Sequence, residues 1–340
     1  MQSKFFVTLP TFILGTALVL GGALTGGTAA RAAGPIVIKA DQGAAASGPW
    51  QRAMEKLRDI VESKTNGQLK IEIYPDGVLT NGNLRTTIQM LQSGGIQMGL
   101  FLPAFYEGFD PRWQVFSLPY LFKDNQAAYN TCDSDVGQFM LYTLEKKKIK
   151  GLSLWQQGFR ELTTAKKIVR VPADMAGMKM RVMGSPMFIS MIKGFGANPT
   201  ATSMGELFTA LQQGVVDGQE NPINTIYLRR FYEVQKYLTL THHVWSPLIL
   251  AMSGSFFDGL SPQMQKILLD AAEEVKPFER QFVREDDEKM TTELRKKMEV
   301  IELTDAEMKV WKEETKRVHE EVADKIGRDL VNRFYKAAGY

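Results

Sequence analysis

Arg181 is the side chain of this 340-residue sequence best placed to do chemistry. It stands in Met178-Lys179-Met180-Arg181-Val182-Met183, where Met178, Met180 and Val182 alternate with Lys179, Arg181 and Met183. Such alternation marks a strand, with Arg181 on the face opposite Met180 and Val182. Gly184-Ser185-Pro186 then opens a helix, so Arg181 lies near a strand's C-terminal end, where ligands collect in open α/β sheets. A guanidinium is a planar fork that donates to both oxygens of a carboxylate at once. The chemistry on offer is anion capture, with an ordinary surface ion pair as the other reading of the same residue.

Groups for covalent or metal chemistry are scarce. There is no G-x-x-x-x-G-K-[ST] phosphate loop and no G-x-S-x-G nucleophile elbow. Gly194-Phe195-Gly196 begins like a dinucleotide fingerprint, but Pro199 occupies the third glycine position. Cys132, the only cysteine, reads as a buried small apolar residue. His242 and His243 are adjacent on a strand pattern and point to opposite faces, so they cannot readily chelate one metal. His319 sits beside Glu320 and Glu321 in a charged helix and reads as solvated surface. The pairs Glu273-Glu274 and Asp286-Asp287 read as structural members of charged helices. No catalytic group, metal ligand set or cofactor is nominated.

The elements that must position Arg181 alternate along the chain. Residues 36–38 form a strand pattern, and Ser47-Gly48-Pro49 opens a helix with Pro at the tolerated first position. Met54, Leu57, Ile60 and Val61 recur at helical spacing before Asn66-Gly67 closes it. Leu69, Ile71 and Ile73 alternate as a strand, Leu84, Ile88 and Leu91 form a helical stripe ended by Gly94-Gly95, and residues 96–101 form another strand. This order predicts a largely parallel sheet with helices on both faces. After Lys146-Lys147-Lys148, a solvated helix end, strands follow at 151–155 and 179–183. Helices are expected from Ser185-Pro186 and over 205–213, and a strand within 242–253. Beyond Ser261-Pro262 the chain reads as helical, with a kink at Pro277. A short strand at Val300-Ile301 precedes the capping box Thr304-Asp305-Ala306-Glu307.

The N-terminal residues fix the compartment to expect. Lys4 precedes an almost uncharged apolar stretch, and Ala30-Arg31-Ala32 fits a signal-peptidase site, so residues 1–32 are expected to be a signal peptide cleaved after Ala32. Cleavage leaves 308 residues with 39 basic and 38 acidic side chains. That balance lacks the concentrated positive charge of a nucleic-acid protein. One cysteine allows no intrachain disulfide, and the length suffices for two cores, hence two lobes.

Three blocks carry a resemblance. They are Gly177-Met178-Lys179-Met180-Arg181-Val182-Met183-Gly184-Ser185-Pro186, Gly194-Phe195-Gly196-Ala197-Asn198-Pro199, and the run from Glu206-Leu207-Phe208-Thr209-Ala210-Leu211 to Asp217-Gly218-Gln219-Glu220-Asn221-Pro222. With Thr65-Asn66-Gly67 and Gly158-Phe159-Arg160-Glu161-Leu162-Thr163-Thr164, they resemble the DctP family, the solute receptors of TRAP (tripartite ATP-independent periplasmic) transporters. The resemblance runs from about Ile36 into the C-terminal helices and is strongest over 151–222.

It implies a periplasmic-binding-protein-like α/β fold: two α/β lobes around a ligand cleft, with long C-terminal helices crossing both. Residues 33–157 and 246–286 would form lobe I, and 158–245 and 287–340 lobe II. Arg181 matches the family's principal carboxylate-binding arginine. Asn221 matches an asparagine bonding the same carboxylate, although Asn221 before Pro222 also reads as a helix cap. Arg160 matches a second, often ligand-facing arginine, which would bind a second polar group or help hold Arg181's partner. Trp155, Phe101, Ile226, Met204 and Gln42 fall near cleft-lining positions, each with core packing as the alternative. Trp245 and His243 are weaker candidates near the lobe crossing. The Met204 position often holds an aromatic in the family. The implied function is periplasmic capture of a small organic acid by a monomer that docks transiently on a sodium-coupled TRAP permease. The rivals are a receptor for an ATP-driven importer, a signalling module and a periplasmic enzyme.

Overall fold

The computed structural model describes residues 34–340. The expected signal peptide and its cleavage site lie outside the described residues. Among the described residues, no helix is long and apolar enough to cross a membrane.

The chain opens with β1 (Ile36–Gln42), α1 (Pro49–Lys64), β2 (Leu69–Tyr74), α2 (Leu84–Ser93) and β3 (Met98–Phe101). Pro49 starts α1, which buries Ala53, Met54, Leu57 and Val61 along one stripe. The Asn83 side chain caps α2 by accepting from the Arg85 and Thr86 amides, and Gly94 ends it in the left-handed conformation. Short helices α3 (Pro103–Tyr106), α4 (Asn125–Asp133) and α5 (Asp135–Thr143) lead to β4 (Ile149–Thr164). Then come β5 (Lys179–Val182), α6 (Pro186–Gly194), β6 (Asn198–Ala201), α7 (Met204–Gln212), β7 (Gly218–Pro222), α8 (Ile223–Leu228) and β8 (Tyr237–Ser253). The chain closes with α9 (Gly254–Asp258), α10 (Pro262–Leu294), β9 (Glu299–Glu302), α11 (Asp305–Ile326) and α12 (Arg328–Ala338). The capping box at Thr304 and Glu307 forms, and α10 runs on through Pro277.

The nine strands of the described residues join one sheet in the order β2-β1-β3-β8-β4-β7-β5-β6, with β9 on β8. It is mixed, not largely parallel. β1, β2 and β3 pair in parallel, as do β5, β6 and β7, but β4 and β8 are antiparallel to each other. The reason lies in their length. The sequence patterns predicted ordinary strands at 151–155 and 242–253, whereas these strands have 16 and 17 residues and span the molecule. A chain that crosses once in β4 must return in β8. At one end β8 pairs with β3 through residues 249–252, and at the other β4 pairs with β7 through residues 160–164. Their register shifts between Gln156 and Gly158, where Gly158 has φ +101°, and again between Arg160 and Leu162. Irregularities of this kind bend and twist a ladder, here midway between the ends. Helix α10 packs on α1, β4 and α8, α11 packs on α6, and α12 on α4, so the late helices lie across both halves.

One solvent-facing expectation is corrected. His319 is buried, bonded through Nδ1 to the Tyr335 hydroxyl at 2.8 Å and through Nε2 to the Pro119 carbonyl at 2.7 Å. The packing of α11 against the 111–117 turn and α12 encloses it. Asp286 is also buried, because α10 is covered on more than one side.

Gly218 sits where β7 crosses between β4 and β5. A Cβ there would lie 2.4 Å from the Thr163 carbonyl oxygen and 2.8 Å from Met180 Cε. Gly218→Val should therefore lose about 1–3 kcal/mol of stability by overpacking, read by chemical denaturation; an unchanged midpoint would contradict this packing.

Candidate functional site

A cleft of about 570 Å³ opens between the β1/β3 end and the β5/β7 end of the sheet. Arg181, Asn221, Phe101, Gln42 and Met204 line it, as the sequence led us to expect. Arg160, Trp155 and Ile226 do not. Trp155 is fully buried and donates to the Ala272 carbonyl at 3.3 Å, fixing β4 to α10. Ile226 is buried in the apolar cluster of Leu207, Leu211 and Leu238. His243 and Trp245 are also buried away from the lining. Met204, only partly buried, supplies a thioether in place of an aromatic ring.

Arg160 is consumed by the protein. Its Nη2 donates to the Glu220 carbonyl oxygen at 2.8 Å, to Glu220 Oε1 at 3.0 Å and to Asn221 Oδ1 at 3.2 Å. Nη1 donates to Gln157 Oε1 at 3.0 Å, Nε bonds the second Glu220 oxygen, and the guanidinium lies over the Phe188 ring. Burial alone would raise the Glu220 carboxyl, but the Arg160 guanidinium, with His243 Nε2 3.4 Å away, holds it below the usual carboxylate range. Asn221 is in β7, with its Oδ1 on Arg160 and its amide on Gln219. It does not cap α8, whose N-cap is Pro222.

Arg181 is different. Its Nε and Nη2 donate to the Thr202 backbone carbonyl at 2.9 and 2.8 Å, while Nη1 is buried without any partner. Among the described residues, no carboxylate pairs with it. Burial lowers its pKa to about 10, with Glu220 and Arg160 acting in opposite directions. It remains a cation at neutral pH. A buried charge with one edge unsatisfied is costly unless something else completes it. The residue that carries this unsatisfied edge lines the cleft.

Sequence reasoning missed several lining residues. Gln157, Trp50, Asn83, Thr202 and Arg229 belong to the cleft. Gln157 lies three residues before Arg160, and Thr202 acts through its backbone, which no side-chain pattern reports. Arg229 bonds Asp76 at 2.7 Å and the Gly43 carbonyl at 3.3 Å, joining the chain after α8 to the loops beside β1 and β2.

Beside the β4 irregularity, α10 holds one buried carboxyl, Glu279, and one half-buried carboxyl, Asp287. Glu279 Oε2 accepts from the Gln156 amide at 2.9 Å, and Asp287 Oδ1 from Asn224 Nδ2 at 3.1 Å. Burial pushes each up to about 8.

The comparisons bear on this arrangement. Residues 41–326 match the family model for bacterial extracellular solute-binding proteins, family 7, DctP. The chain belongs to the DctP family. A relative from Escherichia coli (strain K12), the 2,3-diketo-L-gulonate-binding periplasmic protein, is 36% identical over 84% of this chain and 82% of its own length. The C4-dicarboxylate-binding periplasmic protein of Rhodobacter capsulatus is 32% identical over 91% of this chain and 95% of its own. Among solved structures, the sugar acid binding protein of Advenella mimigardefordensis in complex with galactonate superposes with a TM-score of 0.87. That match has 32% identity and covers 90% of this chain and 98% of that one. This DctP member accordingly has the two-lobe architecture of TRAP periplasmic binding proteins and functions as a TRAP solute-binding protein.

The two carboxyls on α10 generate a pH prediction. Both titrate near 4 in an unfolded chain and near 8 here, so the folded state holds more protons between those values. Their contribution is fully present below about pH 4 and is lost as pH rises through about 8. His319, whose pKa burial lowers, acts in the opposite sense. Comparing wild type with Asp287→Asn cancels that term. Denaturation from pH 5 to 9 should show a shallower decline in the variant; parallel curves would contradict a protonated Asp287.

Proposed function

We propose that Arg181 receives the carboxylate of a small organic acid, that the two halves close over it, and that the loaded protein delivers it to a sodium-coupled TRAP permease. The observation that carries this reading is the unpartnered Nη1 of a buried, uncompensated guanidinium on a residue that lines the cleft. The relatives above are named for carboxylates, and a further solved structure of this family holds succinate. Asn221, held by Arg160, supports the same carboxylate with its remaining amide hydrogen. Arg160 acts as a positioning residue, not as a second clamp.

We assign residues 33–157 and 246–286 to one lobe and 158–245 and 287–340 to the other, with the β4 and β8 irregularities as hinges for closure. Removal of residues 1–32 on export to the periplasm fits the relatives' periplasmic names. Binding without turnover is supported by the state of the nucleophiles and bases. Burial pushes the Cys132 thiol up to about 12, and His242, His243 and His319 each bond a protein partner.

Charge-assisted hydrogen bonds contribute roughly 1.5–3 kcal/mol each, so two or three approach the about −8 kcal/mol of micromolar binding once closure is offset. A thermal-shift screen of mono- and dicarboxylates, sugar acids, keto acids and sulfonates finds the ligand. Calorimetry on Arg181→Lys should then show a loss of at least about tenfold, because one ammonium cannot satisfy both Thr202 and a carboxylate fork. Unchanged affinity would sink the assignment. Arg160→Ala strips Glu220 of its buried partner and should cost about 3–5 kcal/mol of stability. A full-stability variant with altered ligand preference would instead place Arg160 on the ligand.

A further inference from the structure

Gln42, at the C-terminal end of β1, is fully buried and lines the cleft, yet its Oε1 has no hydrogen-bond partner. The amide orientation is not free. Glu55 on α1 is a carboxylate and can only accept, so Gln51, one turn earlier, must turn its Nε2 toward it, at 2.9 Å. That leaves Gln51 Oε1 facing Gln42, which must answer with its own Nε2. The relay from Glu55 through Gln51 therefore sets Gln42 Oε1 as an acceptor in the cleft.

A second amide is set the other way. Arg160 holds Gln157 by its Oε1, and Gln157 Nε2 has no partner among the described residues. The cleft thus offers one fixed acceptor and one free amide donor besides Arg181. The other arginines in the lining are not buried, unpaired cations like Arg181. Arg229 is paired with Asp76, and Arg85 is exposed and lies over the Phe109 ring.

We propose that Gln42 is a specificity-determining residue that demands a hydroxyl donor on the ligand, so that the preferred ligands are hydroxylated monocarboxylates and not dicarboxylates. This rests on the reading of Arg181 as the carboxylate clamp. A hydroxyl both donates and accepts, so it meets Gln42 Oε1 and, through its lone pairs, an amide donor. A second carboxylate can only accept. Against Gln42 Oε1 it leaves two buried acceptors facing each other without a proton, and sites built to bond a hydroxyl reject analogues that lack it.

The test compares five- and six-carbon aldonates with the unsubstituted alkanoates of the same length and with succinate, by calorimetry on the full mature protein. In wild type, the best aldonate should bind at least about tenfold more tightly than its alkanoate and than succinate. Gln42→Met should lower the aldonate-to-alkanoate affinity ratio about tenfold. Glu55→Lys tests the relay from outside the cleft. A lysine donates to Gln51 Oε1, which turns Gln51 Nε2 onto Gln42 Oε1 and presents Gln42 Nε2 to the ligand. The aldonate preference should then shrink and succinate should gain. Unliganded thermal melts establish that both variants fold. Succinate binding wild type more tightly than every aldonate overturns the inference, as does an aldonate-to-alkanoate ratio that neither variant moves. In both cases Arg181→Lys still weakens every acid, so the clamp survives. If no acid binds wild type, the clamp fails and this inference with it.

Discussion

Two guanidiniums and one carboxylate are buried close together in this protein, and the missing negative charge organises the rest. Arg160 and Glu220 neutralise each other through a pair in which neither side chain is exposed to solvent. Because Glu220 is committed to Arg160, it does not also satisfy Arg181, whose only acceptor among the described residues is a backbone carbonyl. Burying an unpaired cation is unfavourable in a finished core but suits a receptor, which is completed by what it binds. The same pair sets the amides around it. Asn221 and Gln157 take their orientation from Arg160.

That cluster lies where the chain must also bend. β4 and β8 run through both ends of the molecule, and their ladder slips on each side of Phe159. Trp50 Nε1 on α1 bonds the Gln156 carbonyl at 2.8 Å, and Glu279 on α10 takes the Gln156 amide. One residue of the irregular stretch is thus gripped from two helices. Gln157, which Arg160 holds, is the next residue along β4, so the helix contacts on Gln156 and the Arg160 cluster meet at neighbouring positions of one strand.

Much of this could be read from residue types alone. The Met178–Met183 alternation located the Arg181 strand, and Ser185-Pro186 the helix after it. Local patterns failed where a property depended on partners distant in the chain. The lengths of β4 and β8 were not legible, because a strand buried on both faces at its centre shows no alternation to count. For Arg160 a ligand contact and a supporting role both stayed open, because a lone arginine carries no mark of the glutamate 60 residues away that consumes it. His319 looked solvated beside Glu320 and Glu321, since a helix packed on two neighbours hides residues among charged ones. Gln157 and the Thr202 carbonyl entered the site only through tertiary geometry. The family resemblance reached Arg181 and Asn221 by supplying that distant context.

The central claim is that Arg181 is held incomplete so that a carboxylate can complete it. A crystal structure of the protein with the tightest-binding acid tests it most directly. We expect one carboxylate within hydrogen-bond distance of Arg181 Nη1, with the Thr202 carbonyl contacts retained and Arg160 still on Glu220. A ligand whose carboxylate rests on Arg85 or Arg229, with Arg181 Nη1 unpaired, would contradict it.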